Sequence, residues 1–156
     1  MWLCEPRRQL ERCLRRLRDR AWFRTQGVLV QELVPPAGYD LRVVVACGQV
    51  VGAIERVAAT GEWRTNISLG GWRRRATPSP EACVLATYAA AAVDGDLVGV
   101  DLLPVGNGHY VILEVNGAVE FTRAYSPEGH DIFEEVAKVV AGDMPETDAC
   151  ATGSNN

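Results

Sequence analysis

Two pairs of β-rich runs, each pair broken by a short glycine-containing segment, restrict the architectures open to this chain. Residues 41–46 and 50–57 are dominated by Val, Ile and Leu and are separated by Cys47-Gly48-Gln49. A connection that short joins neighbouring strands as an antiparallel hairpin, because a parallel pair needs a crossover of a dozen residues or more. The pattern returns further on. Val98, Val100 and Leu102 alternate with Gly99 and Asp101, and Val111, Leu113 and Val115 alternate with Ile112, Glu114 and Asn116, with residues 104–108 between them. A period of two gives each strand one apolar face. Between the hairpins, Ser79 as N-cap and Pro80 at the first helical position open an alanine-rich run to Val93 that is apolar all round, which predicts a buried helix. Asp131 with Glu134 three residues on reads as a capping box, and Ile132, Val136, Val139 and Val140 follow up to Gly142. Residues 28–33, stopped by Pro35-Pro36, read as one more strand, and the polar stretch 59–75 as a long loop. The order predicts an α+β fold with a mostly antiparallel sheet and packed helices.

The first 26 residues differ in kind. They hold eight arginines against Glu5, Glu11 and Asp19, a net +5 in a chain whose total is -4. Pro6 at a helix start, then Leu10, Cys13, Leu14, Leu17 and Ala21 at three- and four-residue steps, predict a single amphipathic helix with arginines around one apolar stripe. Its basic face reads as the solvated side of a domain helix rather than a nucleic-acid or membrane surface. Residues 143–156 are small and polar and are expected to be a disordered tail.

Several chemistries are excluded. The five cysteines are scattered and odd in number, and His109 and His130 have no Cys or His at ligand spacing, so neither a disulfide framework nor a zinc site is indicated. No apolar run reaches the length of a membrane span, and the N-terminus lacks a secretory pattern, so a cytoplasmic protein is expected. Gly106-x-Gly108 lies between strands, and no Gly-rich loop ends in Lys, so neither a dinucleotide fingerprint nor a P-loop is present. Residues 66–70 do not form a nucleophile elbow. Lys138 is the sole lysine, beside fifteen arginines.

One positive signal remains. Asp101 interrupts an apolar strand, and Glu114 and Asn116 stand two apart on the next, so the hairpin brings three oxygen-bearing side chains to one face. Buried carboxylates without a partner are costly, so such a set either faces solvent or calls for a cation, and Mg²⁺ (or Mn²⁺) suits hard oxygen donors.

Taken in order, Gln31-Glu32-Leu33, Asp40-Leu41-Arg42, Glu55-Arg56, Arg64-Thr65-Asn66, Gly70-Gly71, Gly99-Val100-Asp101 and Glu114-Val115-Asn116 resemble the C-terminal half of the RimK-like ATP-grasp ligases. That family joins a carboxylate to an amine at the expense of ATP. The resemblance implies that residues 27–142 form the C-terminal subdomain of the ATP-grasp fold and that 1–26 are a remnant of the central subdomain. It implies that Gln31, Glu32 and Leu33 meet the adenine edge and that Asp40 accepts from the ribose hydroxyls. Arg64, Thr65 and Asn66 would reach the triphosphate, Arg64 and Asn66 acting on the reacting carboxylate, and Asp101, Glu114 and Asn116 would ligate the metal. Arg42 and Arg56 stand either against an acidic substrate or as outward strand residues.

The implied reaction is acyl-phosphate formation followed by displacement of phosphate by an amine. The implied partners are a small amino-acid substrate, a peptide or carrier protein, and a complementary N-terminal half or a second copy. Where many of the family have Pro-Gly after the Asn, this sequence has Gly117-Ala118-Val119-Glu120-Phe121, which looks closer to the carrier-protein ligases of lysine biosynthesis. The family's phosphate-holding lysines have no counterpart, and Lys138 is misplaced for that task. An inactive nucleotide-binding or interaction module left by truncation is therefore the alternative to a ligase.

Overall fold

The structure, a computed structural model, describes residues 2–142. They form two compact units divided between Leu33 and Val34.

The first unit holds two helices, α1 (Arg7–Leu17) and α2 (Ala21–Gln26). The expected single helix breaks at Arg20, which adopts extended backbone as the N-cap of α2, and Pro6 is the N-cap of α1 rather than its first residue. Leu10, Cys13, Leu14 and Leu17 are half-buried as their spacing requires, whereas Ala21 is exposed. The strand expected over residues 28–33 does not form: no partner among the described residues pairs with it, and Leu29 is 82% exposed.

The second unit is built on one antiparallel sheet of five strands in the order β3-β2-β1-β4-β5. These are β1 (Tyr39–Ala46), β2 (Gln49–Val57), β3 (Trp72–Arg75), β4 (Leu97–Gly106) and β5 (His109–Asn116). Both expected hairpins form, each around a two-residue turn in which both residues have positive φ: Cys47 at 45° and Gly48 at 78°, Asn107 at 53° and Gly108 at 79°. That geometry matches the strand twist and favours Gly at the second position. β4 therefore runs through Pro104, which the sequence reads as loop. β3 is the unexpected strand. It pairs with β2 from Val57↔Trp72 to Ile54↔Arg75 and closes the loop that the sequence leaves unstructured.

Alternation sorts the side chains between two apolar layers. Leu41, Val43, Val45, Ala53, Val98, Val100 and Leu102 face α3 (Pro80–Ala92), whose Ala82, Ala86, Ala89 and Ala90 pack onto them. Ser79 accepts from the Ala82 N–H as the expected N-cap, a contact worth about 1 kcal/mol. The helix is buried on that side only. Val84, Tyr88 and Val93 are exposed, because no third layer lies outside it among the described residues. On the other face, Val44, Ala46 and Ile54 pack under α4 (Ile132–Ala141) and a 3₁₀ turn at Arg123–Tyr125. Asp131 caps α4 by accepting from Phe133, without the reciprocal bond from Glu134, and Val140 points outward while Ile132, Val136 and Val139 face the sheet.

β5 departs from strict alternation. Asp101↔Glu114 is followed by Leu102↔Ile112, which leaves Leu113 as a bulge, so Val111, opposite Leu103, and Val115, opposite Val100, fall on opposite faces of the sheet. The expected tail at 143–156 lies outside the described residues.

Candidate functional site

α4 covers only one end of its sheet face. At the other end the same alternation that points Val44 and Ala46 into the core presents Asp40 and Arg42 on β1. The register then fixes their neighbours. Arg56 on β2 lies opposite Asp40, and Arg73 on β3 lies opposite Arg56. Across the other edge of β1, Arg42 faces Asp101 on β4, Asp101 faces Glu114 on β5, and Asn116 follows opposite Gly99. Two of these are carboxylates with almost no solvent contact, Asp40 at 1% and Asp101 at 0% exposure.

Burial of that kind requires compensation, and two arginines provide it. Arg42 donates from Nε and Nη2 to the two oxygens of Asp101 at 2.6 and 2.7 Å. Arg56 forms the same fork on Asp40 at 2.7 and 2.6 Å, and its Nη2 also donates to Asp101 at 2.7 Å. The Thr65 hydroxyl donates to Asp40. Burial by itself would raise the Asp101 carboxyl, but the Arg42 hydrogen bonds and the charges of Arg56 and Arg42 outweigh it and hold the group below the usual carboxylate range. The hydrogen bond to Asp101 raises Arg42 further above the usual guanidinium range against its desolvation. For Arg56, burial opposes the charged form, and Asp40 and Asp101 together more than reverse it.

Above this ionic layer lies a cavity of ≈ 280 Å³. Arg42, Arg56, Arg73, Asn66, Glu114 and Glu120 line it, with Ile67 and Tyr125. The Arg73, Glu120 and Tyr125 positions carry no pattern that marks them in the sequence. Arg73 sits in a run of three arginines, and only its pairing opposite Arg56 shows which of the three faces the site.

The chain matches the RimK-like ATP-grasp domain over residues 1–140. It belongs to that family. Among its relatives are a probable alpha-L-glutamate ligase of Parasynechococcus marenigrum (strain WH8102), 40% identical over 68% of this chain and 23% of that protein. Another is the ribosomal protein bS6–L-glutamate ligase of Salmonella paratyphi B (strain ATCC BAA-1250 / SPB7), 37% identical over 67% of this chain and 35% of that one. The chain thus spans well under half the length of these relatives. The fold is shared with the ATP-grasp ligase PsnB, solved with a phosphomimetic variant of its minimal precursor, Mg and ADP, at a TM-score of 0.53 and 24% identity over 72% of this chain and 34% of that one.

The structure brings together some of the residues to which the RimK-like resemblance assigns roles and not others. Arg42, Arg56, Asn66 and Glu114 meet on one cavity, and Asp101 lies directly beneath two of them. Asp40 does not present itself to a ribose: its oxygens are buried and taken up by Arg56 and Thr65, which makes it the anchor of Arg56. Thr65 spends its hydroxyl on the same anchor. Arg64 is absent from the cavity wall and forks onto Glu62 at 3.0 and 2.6 Å. The Arg64 side chain and the backbone N–H of Arg64 and Trp63 pull the Glu62 carboxyl down to about 2. Gln31, Glu32 and Leu33 belong to the first unit, in a stretch without helix or strand.

The premise for a cation also changes. Asp101, Glu114 and Asn116 do share a face, with Asn116 Nδ2 donating to Glu114 at 3.2 Å. Asp101, however, is already neutralised by arginine, and among the described residues no three His, Cys, Asp or Glu side chains gather to hold a metal. The donor set still fits a hard divalent ion. Glu114 has a half-exposed carboxylate (55%), Asn116 keeps its amide oxygen, and Asp101 accepts three N–H bonds of the roughly four its lone pairs allow.

Proposed function

We propose that this chain is the nucleotide- and metal-binding part of an ATP-dependent carboxylate–amine ligase acting through an acyl-phosphate. The observation that carries the reading is the pair Arg42 and Arg56, whose guanidinium groups are fixed by buried carboxylates while both residues line the cavity. A phosphoryl group in transfer spreads negative charge over its oxygens, and catalysis of that step is mostly positioning and charge stabilisation. Donors that need no reorganisation when the charge develops are what the step requires. Arg42 and Arg56 hold the transferred group, Asn66 donates to an oxygen of the carboxylate acceptor, and Glu114, Asn116 and one remaining position of Asp101 hold Mg²⁺. The ion supplies charge neutralisation between the triphosphate and these carboxylates. The nucleophiles are the substrates' own carboxylate and amine, so no side chain serves as nucleophile.

The substrates follow the relatives at the level of class. Proteins named alpha-L-glutamate ligase and ribosomal protein bS6–L-glutamate ligase support an amino acid as one reactant and a peptide or protein as the other. A second reading, a nucleotide-binding module without turnover, is favoured by one observation. Lys138, the sole lysine, lies on α4 and pairs with Glu135 at 3.1 Å, so this chain by itself offers no lysine to the phosphates. In the ligase reading those lysines come from a complementary half.

Calorimetry tests both readings together, and an ADP-release assay tests the second alone. Mg-ATP is expected to bind modestly and ATP without Mg²⁺ poorly, and no ADP release is expected from the chain alone. Absence of Mg-ATP binding at millimolar nucleotide overturns both readings, and amino-acid-dependent ADP release by the pure chain overturns the second.

A further inference from the structure

We propose that Cys4 and Cys13 form a reversible intramolecular disulfide, a modification site in the first unit whose oxidant is a low-molecular-weight disulfide such as glutathione disulfide. The two residues are nine apart in the chain, a spacing that marks no pair by itself. The fold of the unit makes them one. The segment before α1 turns back along the helix: the Glu5 N–H donates to Gln9 Oε1 at 3.0 Å, and one residue earlier the Cys4 thiol meets Cys13 Sγ at 3.9 Å. Gln9 and Cys13 are four apart on α1 and so stack on one face of it, which makes the two contacts successive steps of one track.

Sulfurs in van der Waals contact reach the bonding distance of about 2 Å by side-chain rotation. Both cysteines are half-buried, which leaves each open to a small disulfide. Burial, the contact with Cys13 and the charge of a Cys13 thiolate hold the Cys4 thiol above its ordinary range, so each sulfur senses the other. Closure proceeds by two exchanges. One cysteine thiolate attacks a sulfur of glutathione disulfide, forming a mixed disulfide and expelling one glutathione thiolate. The second cysteine thiolate attacks the protein sulfur of that mixed disulfide and expels the other. Two protein thiols are oxidised to one disulfide, the oxidant is reduced to two glutathione molecules, and the two protons pass from the cysteines to the leaving thiolates. Held side by side, the pair reacts at an effective concentration far above that of a second chain, so closure within one molecule outruns bonds between molecules. The bond ties the segment preceding α1 to the second turn of that helix.

The test equilibrates the reduced full chain in glutathione buffers of fixed thiol-to-disulfide ratio, blocks the remaining thiols with iodoacetamide and digests with trypsin, which cuts among the arginines between the two cysteines. Mass spectrometry is expected to find the Cys4 peptide joined to the Cys13 peptide about tenfold above any other disulfide-linked pair. In concentrated urea the same buffers are expected to give a several-fold smaller closed fraction, because closeness in sequence is then all that favours the bond. Cys13→Ser is expected to stop Cys4 at the glutathione mixed disulfide, Gln9→Ala, which releases the Glu5 N–H, to lower the closed fraction, and Cys47→Ser to leave it unchanged. Thiols that stay reduced at excess glutathione disulfide, mixed disulfides that persist on both residues, or Cys4 recovered chiefly on another cysteine overturns the proposal. A closed fraction no larger in the folded chain than in urea, or one that Gln9→Ala leaves unchanged, also overturns it, since the fold then does not hold the pair.

Discussion

Arg42 on β1 and Asp101 on β4 stand directly opposite each other and are joined by two parallel hydrogen bonds of 2.6 and 2.7 Å. Because Arg56 also reaches Asp101 from β2, and holds Asp40 on β1, the pair is one part of a lattice of two cations and two anions spread over three strands. Such a lattice adds little net stability compared with an apolar packing of the same volume. Its members are nevertheless interdependent, since loss of one leaves a buried charge without a partner.

Arg56→Met tests that interdependence. Among the described residues it removes the one side chain shared by both carboxylates and leaves Asp40 with only the Thr65 hydroxyl. Urea unfolding is expected to show a loss of about 3–5 kcal/mol, the range for breaking a buried ion pair. A loss no larger than for an exposed arginine such as Arg8→Met would show that the carboxylates find water instead.

The pH dependence follows from the depressed Asp101. Its folded carboxyl titrates below the ordinary value near ~3.9, so between the two values the unfolded chain binds more protons than the folded one. The stabilisation is complete above the ordinary value and is lost as pH falls through the folded one. Carboxyl ¹³C shifts should therefore show Asp101 still ionised where an unperturbed Asp is half protonated. Protonation of Asp101 at or above the ordinary carboxylate pH contradicts the lattice.

How legible this was depends on distance along the chain. The hairpins are local, and alternation with Cys47-Gly48 and Asn107-Gly108 between the strands suffices to place them. β3 has four exposed residues and no internal period, so only its long-range pairing with β2 reveals it. Residues 28–33 have β composition but no partner among the described residues, and composition alone does not make a strand. In the site, Asp101 stands out as a carboxylate in an apolar run. What neutralises it does not, because Arg42 and Arg56 come from two other strands, and an unpartnered acid looks like a metal ligand until its partners are seen. The same holds for Asp40, whose role as an anchor depends on facing Arg56 across the hairpin.

Glu62 gives a functional prediction. It ties up the Arg64 guanidinium through two hydrogen bonds, and both side chains remain partly accessible. If Arg64 serves the triphosphate, Glu62 competes with the nucleotide for it. Glu62→Ala is expected to tighten Mg-ATP binding several-fold by calorimetry, with Arg64→Ala in the same background abolishing the gain. A weaker complex in Glu62→Ala would show that Arg64 acts only through its partner.

Gly71 connects the backbone to the site. A Cβ there meets only main-chain oxygens, Val57 O at 2.9 Å and Asn66 O and Thr65 O at 3.0 Å, so no side chain can rotate away to make room. Gly71→Ala must push the 65–66 segment off β2. That displaces the Thr65 hydroxyl from Asp40 and Asn66 from the cavity wall. Overpacking of this kind costs about 1–3 kcal/mol, and here it also moves two site residues. Gly48→Ala is the matched control. Nothing lies within 4 Å of its Cβ, but its φ of +78° strains any L side chain, so it lowers stability about 1 kcal/mol at a turn on β1 and β2 far along the strands from Asp40 and Arg56. Urea unfolding and Mg-ATP calorimetry on both variants separate the two effects. Gly71→Ala is expected to lose nucleotide affinity beyond what its stability explains, whereas Gly48→Ala loses stability alone. Equal nucleotide affinity in the two would mean that the 65–66 segment takes no part in binding.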